Sequence, residues 1–256
     1  MKNLNNLFLF VIIPLLTVSV NAQSVDEIIE NYFENTGSAK SWAEVESVKM
    51  NMSVNQMGME IPIEQYQSSD RKYTKISIQG MEIKQGVFDG ETLWSTDLMS
   101  MKAVKSDQED VQIVKHDLAE FPNPFLNYKK NGFTVELMGN EVVDGADTFK
   151  VKLIKKPMLV DGEEVPNVSI YYFDTDNFVP IMMHKEVMSG QGKGMIIEAK
   201  MNDYQEVEGL YMPFSMSQGV KGQPGQPITI TSIELNVKAD ESEFRFPETV
   251  TEEQNN

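Results

Sequence analysis

The chain has 256 residues, 41% of them hydrophobic, with a formal net charge of −17 and no cysteine. Such acidity opposes binding to nucleic acid or to an anionic membrane surface. The missing cysteine excludes disulfides, thiolate metal sites and cysteine nucleophiles together, while the length allows one large core.

The first residues read as a targeting segment. Lys2 gives a positive start, Leu7 to Leu16 is an apolar run interrupted by Pro14, and Val20-Asn21-Ala22 offers small residues for cleavage. Residues 1–22 are therefore expected to be a signal peptide cut after Ala22. The alternative is a retained anchor, although the run is short for a transmembrane helix. Loss of the leader, whose one charge is Lys2, takes the formal charge from −17 to −18. The remainder is expected to be a soluble, monomeric periplasmic protein, with one domain over 23–248 and a polar tail over 249–256.

Ser24 and Glu27 form a capping box. Val25, Ile28, Ile29, Tyr32 and Phe33 then follow helical spacing as far as Gly37. From Val48 the period changes to two: Val48, Met50, Met52 and Val54 alternate with polar residues. Ile61 and Ile63 begin a second strand, in which Pro62 predicts an edge or a strand end. Strands follow over Tyr73 to Ile78, Met81 to Phe88 and Thr92 to Thr96, a meander in which Asp89-Gly90 reads as a type I′ hairpin turn. Trp94, one of two tryptophans, sits on its return strand.

Asp107 to Ala119 interrupts the sheet with Val111, Val114 and Leu118 at helical spacing and acidic residues at its start. Phe121-Pro122-Asn123-Pro124-Phe125 is a stiff apolar loop, either a lid over a cavity or a segment pinned to the core by its aromatics. Further strands run to Val237, with an extension from Lys155 to Val165. Ile228 and Ile230 fall out of phase with Ile233, Leu235 and Val237, which predicts a β-bulge near Thr231. The whole is mainly β: about ten or eleven antiparallel strands in a strongly curved, unclosed half-barrel, with helices over its concave face.

No catalytic signature is complete. Asp174-x-Asp176 lacks the glycine and later ligands of a calcium loop, and Gly190-x-Gly192-x-Gly194 precedes a strand rather than a helix. His116 and His184 have no nucleophile motif beside them, so no enzyme activity and no cofactor are expected. The chain holds 17 methionines. Met99, Met101, Met182 and Met183 with His184 offer soft ligands for Cu(I), but their spread along strands suits an apolar lining better, and no bound metal is expected.

Phe88-Asp89-Gly90-Glu91-Thr92-Leu93-Trp94, followed by Asp97 and Val104, resembles the hairpin of the LolA family of periplasmic lipoprotein carriers. Asp203 to Phe214 and Phe244-Arg245-Phe246-Pro247 are similar to the broader outer-membrane lipoprotein-sorting group. The resemblance implies a lidded apolar cavity that carries the acyl chains of lipoproteins or lipids towards the outer membrane. It also implies an inner-membrane ABC transporter as donor and an outer-membrane acceptor. In that family an arginine before the hairpin holds the lid closed; Arg71 is the matching residue, with Lys72 standing where the family has proline. Strand alternation assigns Met50, Met52, Ile76, Ile78, Phe88, Leu93 and Trp94 to the cavity. The competing reading is a signalling or structural protein on the same fold that binds a protein partner.

Overall fold

The computed structural model describes residues 23–247. The leader with its cleavage site after Ala22, and the tail over 249–256, lie outside the described residues. The chain opens with helices α1 (Val25–Asn35) and α2 (Ala39–Ala43). A meander follows: β1 (Ser47–Gln56), β2 (Met59–Ser68), β3 (Lys72–Ile78), β4 (Met81–Phe88), β5 (Leu93–Thr96) and β6 (Ala103–Lys105). Helix α3 (Gln108–Leu118) then crosses to β7 (Thr134–Val143), β8 (Ala146–Ile154), β9 (Met158–Val160) and β10 (Glu163–Val165). The chain ends with β11 (Val168–Asp174), β12 (Pro180–Glu186), β13 (Ile196–Val207), β14 (Leu210–Val220) and β15 (Gln226–Leu235).

Thirteen strands form one antiparallel sheet in the order β6-β5-β4-β3-β2-β1-β15-β14-β13-β12-β11-β8-β7, and β9 and β10 form a separate ribbon. The sheet is curved but not closed, with β6 and β7 as its two edges. Strands β6, β9 and β10 have three residues each, too few to display an alternation, so the sequence does not announce them. β2 is an interior strand rather than an edge. Its ladder to β3 stops at Ile63, one residue short of Pro62, so the missing proline N–H costs that ladder nothing.

The capping box is present: Ser24 Oγ accepts from Glu27 N at 3.3 Å, and Glu27 Oε2 accepts from Ser24 N at 2.8 Å. Helix α1 buries Ile28, Ile29, Tyr32 and Phe33 against the concave face, each worth roughly 1.5–3 kcal/mol of apolar burial. Gly37 ends this helical segment at φ 110°, where a Cβ would lie 2.2 Å from the Gly209 carbonyl oxygen, so only glycine fits. The predicted bulge is at Thr231: Asn51 pairs with Ser232 and Met52 with Ile230, leaving Thr231 unpaired. Asp144-Gly145 is a two-residue turn with φ 50° and 90°, the geometry of type I′. Asp89-Gly90 is not such a turn. It belongs to a four-residue loop in which Asp89 Oδ1 accepts from the backbone N of Glu91 (2.9 Å) and Thr92 (2.7 Å).

The loop after α3 is pinned. Phe125 is 3% exposed and meets Tyr171, Phe173 and Tyr32 edge-on, and Asn123 donates to Tyr32 Oη at 2.6 Å. The Lys155 to Val165 extension is the β9–β10 ribbon. Met158 and Val160 are buried, and the Asp161 N–H donates to Glu109 of α3 at 2.6 Å, so the ribbon clasps the helix from one side.

Candidate functional site

Register assigns the sequence-predicted residues to faces. Met52 pairs with Ile63 and Ile63 with Ile76; Met50 and Ile78 lie two residues along the same strands and so share the face. Lys72 pairs with Phe88, and Phe88 with Leu93, placing both apolar residues on the same concave face. Trp94 does not belong with them. As the neighbour of Leu93 in an extended strand it projects the other way, packing with Tyr66, Tyr73, Val87 and Phe244, and its Nε1 donates to the Phe244 carbonyl at 3.1 Å. The remaining residues also divide. Met50 and Met52 join the cluster beneath α1, whereas Phe88 and Leu93 pack on Val111 and Leu118 of α3.

Between these groups the concave face is half covered. Met50, Met52, Ile76, Ile78, Met212, Phe214 and Met216 keep partial exposure. At one end a cavity of about 270 Å³ opens beneath α3, lined by Ile113, Met158, Met183, Val187, Met188 and Ile197, with Asp117, Lys185, Glu186, Ser189 and Gln218 as its polar wall. The sequence reading missed this cavity, because its walls come from α3, the ribbon and the far arm of the sheet.

Charges collect at the same place. Lys185 Nζ donates to Asp117 Oδ1 at 2.6 Å, tying α3 to β12. Lys155, whose side chain is 2% exposed, pairs with Glu120 just past the helix end. Burial pushes the pKa of Lys155 down, opposed by Glu120 and assisted by Lys185. Lys72 enters from β3 on the opposite arm. Burial lowers its pKa too, with Asp117 favouring its charge and Lys185 opposing it. The curl of the sheet therefore brings lysines from both arms to one helix. A second cavity of about 140 Å³, lined by His116, Glu120, Lys155 and Asn167, adjoins the cluster.

Arg71, one residue before Lys72, faces the other way. Its Nη1 donates to both carboxylate oxygens of Glu241 at 2.8 Å, and its guanidinium lies 5.4 Å from the centre of the Phe244 ring. These contacts grip the short 3-10 turn Glu241–Glu243 of the C-terminal segment rather than α1 or α3. On this outer face Trp94, Thr96, Met101, Arg245 and Phe246 line a cleft of about 850 Å³, beside Pro247 where the described residues end.

His184 is buried on the outer face, with Nε2 2.9 Å from Glu198 and Nδ1 3.3 Å from Tyr172 Oη. Both nitrogens are thus engaged, one by a carboxylate and one by a phenol. Met182 and Met183 point to opposite faces, each in a different apolar cluster. Among the described residues no three His, Cys, Asp or Glu side chains converge as a metal site.

No family model matches the sequence, and no curated protein matches it. Solved structures do match in shape. A DUF1329 family protein from Desulfovibrio piger superposes with a TM-score of 0.50 at 12% identity, over 86% of this chain and 97% of that one. A LolA superfamily protein from Nitrosomonas europaea gives 0.47 at 13% identity, over 88% and 98% of the two chains. An outer membrane lipoprotein-sorting protein domain from Vibrio parahaemolyticus gives 0.47 at 10% identity, over 84% and 97%. The structural neighbours are thus DUF1329, LolA superfamily and lipoprotein-sorting proteins, and at these identities the likeness is one of fold.

Proposed function

We propose that this is an exported, non-enzymatic carrier that shields the acyl chains of lipoproteins or lipids on the concave face of its sheet. By resemblance, it takes them from an inner-membrane ABC transporter and passes them to an outer-membrane acceptor. The observation that carries this reading is the half-covered apolar face, with a methionine-lined cavity beneath α3. An acyl chain of about fifteen methylenes loses roughly 12 kcal/mol on entering water, so a carrier must bury nearly all of it. The cavity of about 270 Å³ falls just below the ~300–1,000 Å³ of ordinary ligand pockets. It therefore takes the inner end of one chain, and the rest lies along Met216, Met52 and Ile76.

Saturable displacement of a fluorescent acyl probe by lipid tests the reading. Met52→Glu is expected to weaken binding about tenfold or more, because it places an unpaired carboxylate on the apolar face. A folded protein that binds no probe, fatty acid or acylated peptide refutes it. A protein-partner reading has its own support in the exposed apolar tips of three hairpins. Met57 and Met99 are each 96% exposed, and Met81 is 52% exposed. Co-purified lipid, identified by mass spectrometry of organic extracts, separates the two.

A further inference from the structure

The charged cluster beneath α3 has a composition that its own ion pairs do not exhaust. Asp117 lies within electrostatic range of Lys72, Lys155 and Lys185, and Glu120 pairs with Lys155. Lys155 is taken by Glu120 and Lys185 by Asp117. Among the described residues Lys72 has no ion-pair partner within 4.0 Å, although it lies on the concave face opposite Phe88. A second observation concerns the floor. Ser169 is 1% exposed and its Oγ has no hydrogen-bond partner. It sits in register between Leu153 and Lys185, on the same face as both, with Lys155 two residues beyond Leu153. Leaving a buried hydroxyl unpaired is costly. One lysine without an ion-pair partner and one orphan hydroxyl thus neighbour Lys185, which lines the methionine-rich cavity together with Asp117 and Glu186.

We infer that this cluster is a head-group site for a lipid with a single acidic head, a carboxylate or a phosphate, whose tail enters the methionine-lined cavity. This assignment rests on the carrier reading and specifies its cargo. The acidic head accepts from the Lys72 ammonium and from Ser169 Oγ, and it gives Lys72 a partner without displacing either existing pair. Because Lys72 comes from the arm of the sheet opposite Ser169 and Lys185, the bound head ties the two arms together.

The test is displacement of an uncharged fluorescent alkyl probe from the full mature chain. Palmitate is compared with hexadecanol, and monopalmitoylglycerol phosphate with monopalmitoylglycerol. Each acidic lipid is expected to compete at a concentration at least about tenfold lower than its neutral twin, the ratio produced by one hydrogen bond to a charged group. The tighter of the two acidic lipids identifies the head as carboxylate or phosphate. Lys72→Met should abolish the preference, because it takes away the unpartnered ammonium and strands no carboxylate. Lys72→Arg should retain the preference. Ser169→Ala should weaken acidic-lipid binding about threefold or more while holding or raising the thermal midpoint of the free protein, since it removes an unpaired buried hydroxyl. Equal binding of acidic and neutral lipids, or a preference that survives in Lys72→Met, overturns the head-group site and leaves the carrier intact. Binding of none of the four overturns both.

Discussion

Glu120→Gln is the most informative single perturbation of the platform beneath α3. The Lys155 and Glu120 side chains are 2% and 15% exposed, so the pair is shielded from solvent screening. Removing one partner of such a pair strands the other charge, at a cost of about 3–5 kcal/mol. For a domain of this size that corresponds to a fall in thermal midpoint of roughly 6–20 °C. The penalty depends on pH. The folded pKa of Lys155 is already below its ordinary value because burial opposes the charge, and Glu120 is the main group holding it up. A lysine with a depressed folded pKa binds fewer protons folded than unfolded, so stability rises with pH between the two values and is lost as pH falls through the folded one. Loss of Glu120 deepens the depression and opens that window at lower pH. Urea unfolding of wild type and variant from neutral pH to about pH 10 is the assay. The gap should be widest near neutral pH and should narrow as pH rises. The double variant Lys155→Met with Glu120→Leu should recover most of the loss, because no charge is then left buried. A penalty under about 1 kcal/mol at neutral pH, or one that ignores pH, refutes the reasoning.

Burial raises the Tyr32 pKa from 10.0 to about 12. The folded state therefore keeps a proton that the unfolded chain loses, and Tyr32 should cost stability as pH rises from about 10 to 12, at up to about 1.4 kcal/mol per pH unit; Tyr32→Phe should flatten that slope in alkaline urea melts. Arg71→Leu should free the segment around Glu241 and Phe244 to proteolysis while leaving acyl-probe affinity unchanged, as its partners lie on the outer face. Exchange of Trp94 for Phe should likewise spare probe binding and remove any emission that reports the outer cleft. Intact mass of the exported protein should place its first residue at Gln23; a retained leader would overturn the cleavage site.

Local chemistry made much of the fold legible. The Ser24–Glu27 box, the helical stripe through Phe33 and the phase slip at Thr231 are each written in neighbouring residues, and each appears in the structure. The division of the candidate residues is different. Leu93 and Trp94 are adjacent in a strand, so strand geometry alone separates them; reading the whole hairpin as one apolar unit concealed this. The polar cluster was not legible, because its members lie in β3, α3, β11 and β12 and meet only when the sheet curls. Methionine content pointed to an adaptable lining, but Met57 and Met99 prove to be hairpin tips, exposed where the turn leaves no partner strand.

The unclosed sheet has a mechanical consequence. In a closed barrel every strand is hydrogen-bonded on both sides, so enlarging the interior means breaking ladder bonds somewhere around the ring. Here β6 and β7 have no common ladder. The two arms are bridged instead by α3, through Phe88 and Leu93 on one side and through Lys185 and the β9–β10 ribbon on the other. Displacement of one eleven-residue helix can therefore widen the interior while every strand keeps its neighbours. The resistance comes from side-chain contacts and a few ion pairs rather than from a backbone ladder.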